Sequence, residues 1–229
     1  MTARSLRNSV REVLLIVVGV VAAFGVDARW EDYLERREEL RTLRSLQVEM
    51  LENGSRLEQA IQVRMDARDA GRTLLDMTGP AAQPQLISIV DSLLMATSMG
   101  VATYDPVTGS TDALVVGGRL ASISSDSLRL ALASWPEQLR DVREDEVWMI
   151  EYSLTNGLPI SFGQHLFGST GASWHAPPGQ LTPVPLLRDP NFARTIEIYI
   201  SSFDQIIRAA EALALGIGDL TRLLASELD

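Results

Sequence analysis

The chain has 229 residues, no cysteine, and 20 basic residues that are all arginine, against 30 Asp and Glu, for a formal charge of -10. Without cysteine there is no disulfide scaffold, thiolate metal site or cysteine nucleophile, and without lysine there is no P-loop, Schiff-base or serine-lysine chemistry, because each needs an amine at its centre. Residues 1–75 balance 12 Arg with 12 Asp/Glu, whereas residues 76–229 hold 8 Arg against 18, an acidic lobe that argues against nucleic acid as a partner.

Residues 1–9 are a short arginine-bearing lead, and an apolar run of fourteen residues follows from Val13 to Val26. At about 1.5 Å per residue the run makes ~21 Å of helix, short of a hydrocarbon core of roughly 30 Å. If Arg11 and Arg29 reach toward the headgroups and Trp30 sits in the interfacial belt, the segment 10–30 is long enough to span. The prediction is a transmembrane anchor with the lipid bilayer as its partner and Arg11, Arg29 and Trp30 at the membrane interfaces. A cleaved signal peptide is the rival: Arg4, Arg7 and Arg11 would be its charged region, Val13 to Val21 its apolar region, and Val21-Ala22-Ala23 its cleavage site. The anchor is preferred because the helical pattern runs through that site into a charged helix without a proline or polar turn. Arginines flank the run on both sides. Those that follow it are interleaved with acids and lead into a domain of roughly 200 residues, a length at which translocation is least sensitive to loop charge. This predicts the amino terminus inside and the domain outside the cytoplasm.

Residues 31–229 read as one all-α domain, an irregular helical bundle whose first long helix continues the anchor. No proline interrupts 27–76, and Leu40, Leu43, Met50, Leu57 and Ile61, widened by Leu46, Leu51 and Met65, make an apolar stripe. Asp32 to Arg36 and Glu52 to Arg56 are opposite charges at helical spacing. The stripe is broader than a coiled-coil seam and is broken by Gly54, which favours a bundle wall over a long dimeric coil. Pro84 is expected to open the next helix, burying Leu86, Ile87, Val90, Leu93 and Leu94, with Gly100 as C-cap. A short helix over 110–116 should end at Gly117-Gly118. Ser124-Ser125-Asp126 supplies N-cap chemistry for a helix that Pro136 kinks or restarts and Asn156-Gly157 stops. Residues 158–189 hold five of the ten prolines and both histidines, which predicts an irregular loop of the kind that carries function or lacks order. Asp189-Pro190 then caps a final helix through Phe192, Ile196, Tyr199, Ile200, Phe203, Ile207, Leu213 and Leu223, loosened at Gly216 and Gly218.

The run Glu12 to Val20, the charged stretch Asp27 to Arg37, and Leu114-Val115-Val116-Gly117-Gly118-Arg119-Leu120-Ala121-Ser122-Ile123 with Leu128-Arg129 downstream resemble the bacterial membrane proteins catalogued as domain of unknown function 6090 and their relatives. The resemblance implies a single-pass, largely helical protein of the bacterial inner membrane, with no assigned activity and no functional residue to carry over.

The search for chemistry is mostly negative. His165 and His175 are ten apart with no flanking carboxylate, too sparse for zinc. Phe167-Gly168-Ser169-Thr170-Gly171 is not a nucleophile elbow. Asp141, Glu144, Asp145 and Glu146 lack calcium-loop spacing and read as a solvated helix face. No cofactor and no metal are expected. Trp174 and His175 are the candidate partner-binding loop, because aromatic side chains on loops are favoured anchors. Trp135 and Trp174 are nevertheless more simply packed onto the bundle. Arg119 is expected to pair with a carboxylate beside the Gly117-Gly118 turn. The sequence predicts a non-enzymatic interaction, sensory or scaffolding module that meets a protein partner or a second copy. A membrane-anchored hydrolase using carboxylates is the alternative.

Overall fold

The computed structural model describes the backbone of residues 3–156, 158 and 179–228, and side chains in that range from residue 19 onward, except 21–23 and 28. Those residues are overwhelmingly helical and contain no strand. They comprise α1 (Ala3–Asp76), α2 (Ile87–Met99), α3 (Gly109–Val115), a 3-10 turn (Leu120–Ser122), α4 (Asp126–Asn156), α5 (Val184–Leu187) and α6 (Pro190–Leu228).

The last helix organises the rest. Its apolar residues recur at helical spacing, and Phe192, Ile196, Tyr199, Phe203, Ile206, Ile207, Ala210, Leu213, Ile217, Leu220 and Leu224 are all buried. One flank of this broad stripe takes α1 and the other takes α4, while α2 folds back against α1. Asp189 caps the start of α6, its Oδ1 accepting the Asn191 N–H at 2.9 Å, as the Asp-Pro pair predicts.

Two apolar clusters make up the core. One joins Leu43, Leu46, Met50 and Leu57 of α1 to Leu128, Leu132, Trp135 and Val142 of α4 and to α6 from Ala210 onward. The other joins Ala67 and Leu74 of α1, Val90 and Leu94 of α2, and Met149 of α4 to the first half of α6, up to Ile207.

Several sequence expectations are corrected by packing. α2 begins at Ile87, not at Pro84: Leu86 is extended and bridges Leu181, flanked by Ile87 N–H to Gln180 O at 2.9 Å and Thr182 N–H to Gln85 O at 2.7 Å. Leu86 is consequently exposed. Gly100 is the C-cap of α2, as expected, in a right-handed conformation with φ -69°. It is glycine because a Cβ there would stand 2.5 Å from the Ala67 Cβ and 2.7 Å from the Phe203 ring. α4 does not restart at Pro136 but runs through it. Trp135, Leu132 and Val142 are all buried around it, and this packing outweighs the one hydrogen bond that the proline removes. Gly216 and Gly218 leave α6 unbroken, and Gly216 is where it meets the Gln138 side chain of α4. Leu51 lies outside the buried stripe, and Arg36 turns to Glu39 at 2.6 Å, not to Asp32.

The expected pair Glu52–Arg56 forms at 2.7 Å, and Arg119 pairs with Glu38 at 2.8 Å. Gly118, at φ +68°, makes the turn out of α3. A Cβ added at Gly54 would lie 3.5 Å from the Ile217 side chain of α6.

Candidate functional site

Apolar side chains fill the faces of α1 that meet α6 and α2, but a third stripe of the same helix is polar and buried. Glu39, Glu49, Asn53 and Arg64 are all buried, and with Arg56 they fall within about 100° of helix circumference at 3.6 residues per turn. Each of the five binds the main chain of the segment between α2 and α4, and the order is antiparallel. The Ser124 N–H donates to Glu39 Oε1 at 2.6 Å. The Ser110 and Thr111 N–H groups donate to Glu49 at 2.5 and 3.0 Å. Asn53 brackets Val107, accepting its N–H and donating to its carbonyl, both at 2.7 Å. Arg56 donates to Asp105 O at 3.4 Å, and Arg64 donates to Ala102 O at 2.9 Å. Tyr104 adds a reverse link, its hydroxyl donating to Asn53 O at 3.2 Å.

The local chemistry follows from what an extended segment lacks. Residues 101–108 belong to no sheet or helix, so their main-chain groups need partners, and a helix can offer only side chains. Carboxylates suit the two places where a helix begins. Glu49 meets the first-turn N–H groups of α3, and Glu39 meets the entry to α4, each an end rich in unsatisfied donors. Burial pushes the Glu39 carboxyl up, but the Ser124 N–H, Arg36 and the Ser124 hydroxyl together hold it below its ordinary value.

Arg64 and Glu146 form the deepest part of this array. The Arg64 side chain is 1% exposed and that of Glu146 3%, and they form a salt bridge across 82 residues of sequence. Glu146 Oε1 also accepts the Tyr104 N–H at 3.0 Å. Burial dominates both groups, pushing the Arg64 guanidinium down and the Glu146 carboxyl up from their ordinary values, and each is only partly restored by the other. Nε and Nη1 of Arg64 have no hydrogen-bond partner among the described residues. The pair lies at the seam of the core. On α1 it falls between Leu57 and Ala67, and on α4 between Val142 and Met149, so it separates the two apolar clusters.

A second feature lies on the opposite side of α4. A groove of about 750 Å³ runs between α4 and α6, lined among others by Asp145, Trp148, Arg194, Glu197, Ser201 and Gln205. Beyond Trp148 a shallower hollow of about 380 Å³ is bordered by Arg140, Arg143, Val147 and Glu151. Trp148 is half exposed and stacks on Tyr152, with centroids 5.4 Å apart. Edge contacts then lead through Tyr199 to buried Phe203, so the exposed indole is held by a rigid aromatic chain.

The residues singled out by sequence do not converge on either feature. Trp174, His175, His165 and Ser169 lie outside the described residues, as do the side chain of Arg11 and most of the 158–189 loop. Arg29 and Trp30 are exposed on α1, and Trp30 contacts Tyr33 at 5.7 Å while Arg37 lies 5.7 Å from the Tyr33 ring. Trp135 is buried in the core. Glu146 corrects the reading of 141–146 as a solvated face, because its helical position turns it inward while Asp141 and Glu144 stay exposed. No cluster of three potential metal ligands occurs among the described residues. The chain matches no known protein family, no curated protein and no solved structure.

Proposed function

We propose that this chain is a single-pass protein of the bacterial inner membrane whose helical domain lies outside the cytoplasm and acts by binding a partner. The observation that carries the reading is the course of α1. It is one helix from Ala3 to Asp76, yet its first buried side chain among the described residues is Glu39. Residues 19–35 therefore project from the bundle over about 25 Å, with Phe24 70% and Val26 67% exposed and Val20 half exposed. Apolar side chains without a protein partner need another apolar medium, and a bilayer supplies it. The aromatic pair Trp30 and Tyr33, followed by Arg37, has the composition of an interfacial belt. Among the described residues no helix is long and apolar enough to cross a membrane, and the side chains of Val13 to Val18, which complete the span in this proposal, lie outside them. The resemblance to domain of unknown function 6090 is in keeping with the same reading.

The exposed Trp148 beside its groove supports the binding role, since a rigid, half-buried indole is a favoured contact for protein partners. The carboxylate hydrolase has one observation in its favour, a buried Glu146 with a raised pKa. Against it, Glu146 Oε1 is already engaged by Arg64 and the Tyr104 N–H.

Fractionation tests the proposal. The full chain should sediment with membranes and resist extraction by carbonate at high pH, while truncation before Asp27 should release a folded domain to the supernatant. Full-length protein in the soluble fraction would overturn the anchor.

A further inference from the structure

We propose that residues 101–124 form a strap that opens from α1 and recloses as a unit, latched by the Arg64–Glu146 pair, while α1, α4 and α6 stay packed. The inference goes beyond the membrane reading and does not depend on it. Three observations carry it. The strap is fastened mainly by polar side chains of α1 and α4 acting on its main chain, five α1 residues from Glu39 to Arg64 meeting Ser124 to Ala102 in antiparallel order. Its apolar hold is thin. Tyr104, Leu114 and Ile123 are the apolar residues buried within it, where they join the first core cluster, against eleven in α6. Segments with few buried apolar contacts open at lower free energy than the core.

The third observation is the latch. Arg64 holds the strap at Ala102 O, Glu146 holds it at the Tyr104 N–H, and each holds the other. The pair is dehydrated, and two Arg64 donors are unmet. Admitting water at this point therefore recovers hydration that the closed state forgoes, which lowers the cost of release here relative to the apolar clusters on either side. Gly100 and Gly117-Gly118 flank the most tightly clipped stretch, and Gly118 already has a backbone conformation that only glycine adopts freely. Release would uncover a row of side chains on α1 suited to an extended main chain.

Hydrogen exchange on the full chain in detergent micelles tests this. After correction for their intrinsic rates, the amides of Tyr104, Val107, Ser110 and Thr111 should share one protection factor, about 100-fold or more lower than that of amides of 199–213 in α6. Protection of the strap equal to that of α6, or four unrelated protection factors, would overturn the proposal. In the double variant Arg64→Met/Glu146→Leu, strap exchange should rise by about tenfold with α6 unchanged, since two clips are lost while the core stays filled. If that variant does not fold, Tyr104→Phe, which removes only the hydroxyl link to Asn53, should produce a smaller rise confined to the strap. Parallel acceleration of strap and α6 in whichever variant is measured contradicts an independent strap.

Discussion

At the scale of single residues, the least replaceable side chains are the buried charged ones. Arg64→Ala would leave Glu146 charged and dehydrated without its partner, and should cost about 3–5 kcal/mol in a urea unfolding titration. Arg64→Met with Glu146→Leu fills the same space without charge and should fall within about 1 kcal/mol of the parent or above it. A loss from the double variant as large as that from Arg64→Ala would show the pair to be a net source of stability. Glu39 and Glu146 also differ in the sign of their pH response. Glu39 is held below its ordinary value, so its contribution is present above the unfolded carboxylate range and disappears as pH falls through the folded value. Glu146 is pushed up, so its contribution is greatest below the unfolded value and declines as pH rises through the folded one. Stability measured from pH 3 to 6 should therefore have a shallower acid limb in Glu39→Gln and a flatter upper limb in Glu146→Gln. A Glu39→Gln profile parallel to the parent would contradict the assignment.

The scale of elements shows what periodicity reveals and where it stops. Helix α1 to Asp76, the Gly117-Gly118 turn, the end of α4 at Asn156 and the Asp189 cap of α6 were all legible, because each rests on local spacing or on residues with special backbone chemistry. The polar stripe was not. Glu49, Asn53 and Arg64 look like ordinary exposed helix residues until the strap lies over them, and their partners are 38 to 62 residues away. Glu146 was hidden in the same manner, by acidic neighbours that do face solvent and by a partner 82 residues earlier. The start of α2 was missed because the bridge of Leu86 to Leu181 competes with the proline signal at Pro84. Two glycines differ in what surrounds them. Gly100→Ala should cost about 1–3 kcal/mol by overpacking against Ala67 and Phe203. Gly216→Ala meets only the movable end of Gln138, and with a helix-propensity gain of up to about 1 kcal/mol it should be neutral or stabilising. Thermal melts of the two variants check the contrast, and equal losses would contradict it.

For the whole molecule, the continuity of α1 is the governing geometry. α1 passes without interruption from a projecting apolar segment into a bundle organised around α6, so any tilt or rotation imposed on that segment would reach Glu39, the strap and the core seam through one rigid element. A chain without cysteine allows this to be tested directly, because each introduced thiol is unique. Ile16→Cys, Phe24→Cys, Glu38→Cys and Leu130→Cys, expressed in cells and treated as intact spheroplasts with a membrane-impermeant maleimide, give four positions along the proposed path. The account predicts rapid labelling at 38 and 130 and protection at 16 and 24 until detergent is added; labelling at 16 and 24 as fast as at 38, or labelling at 130 only after lysis, would contradict it.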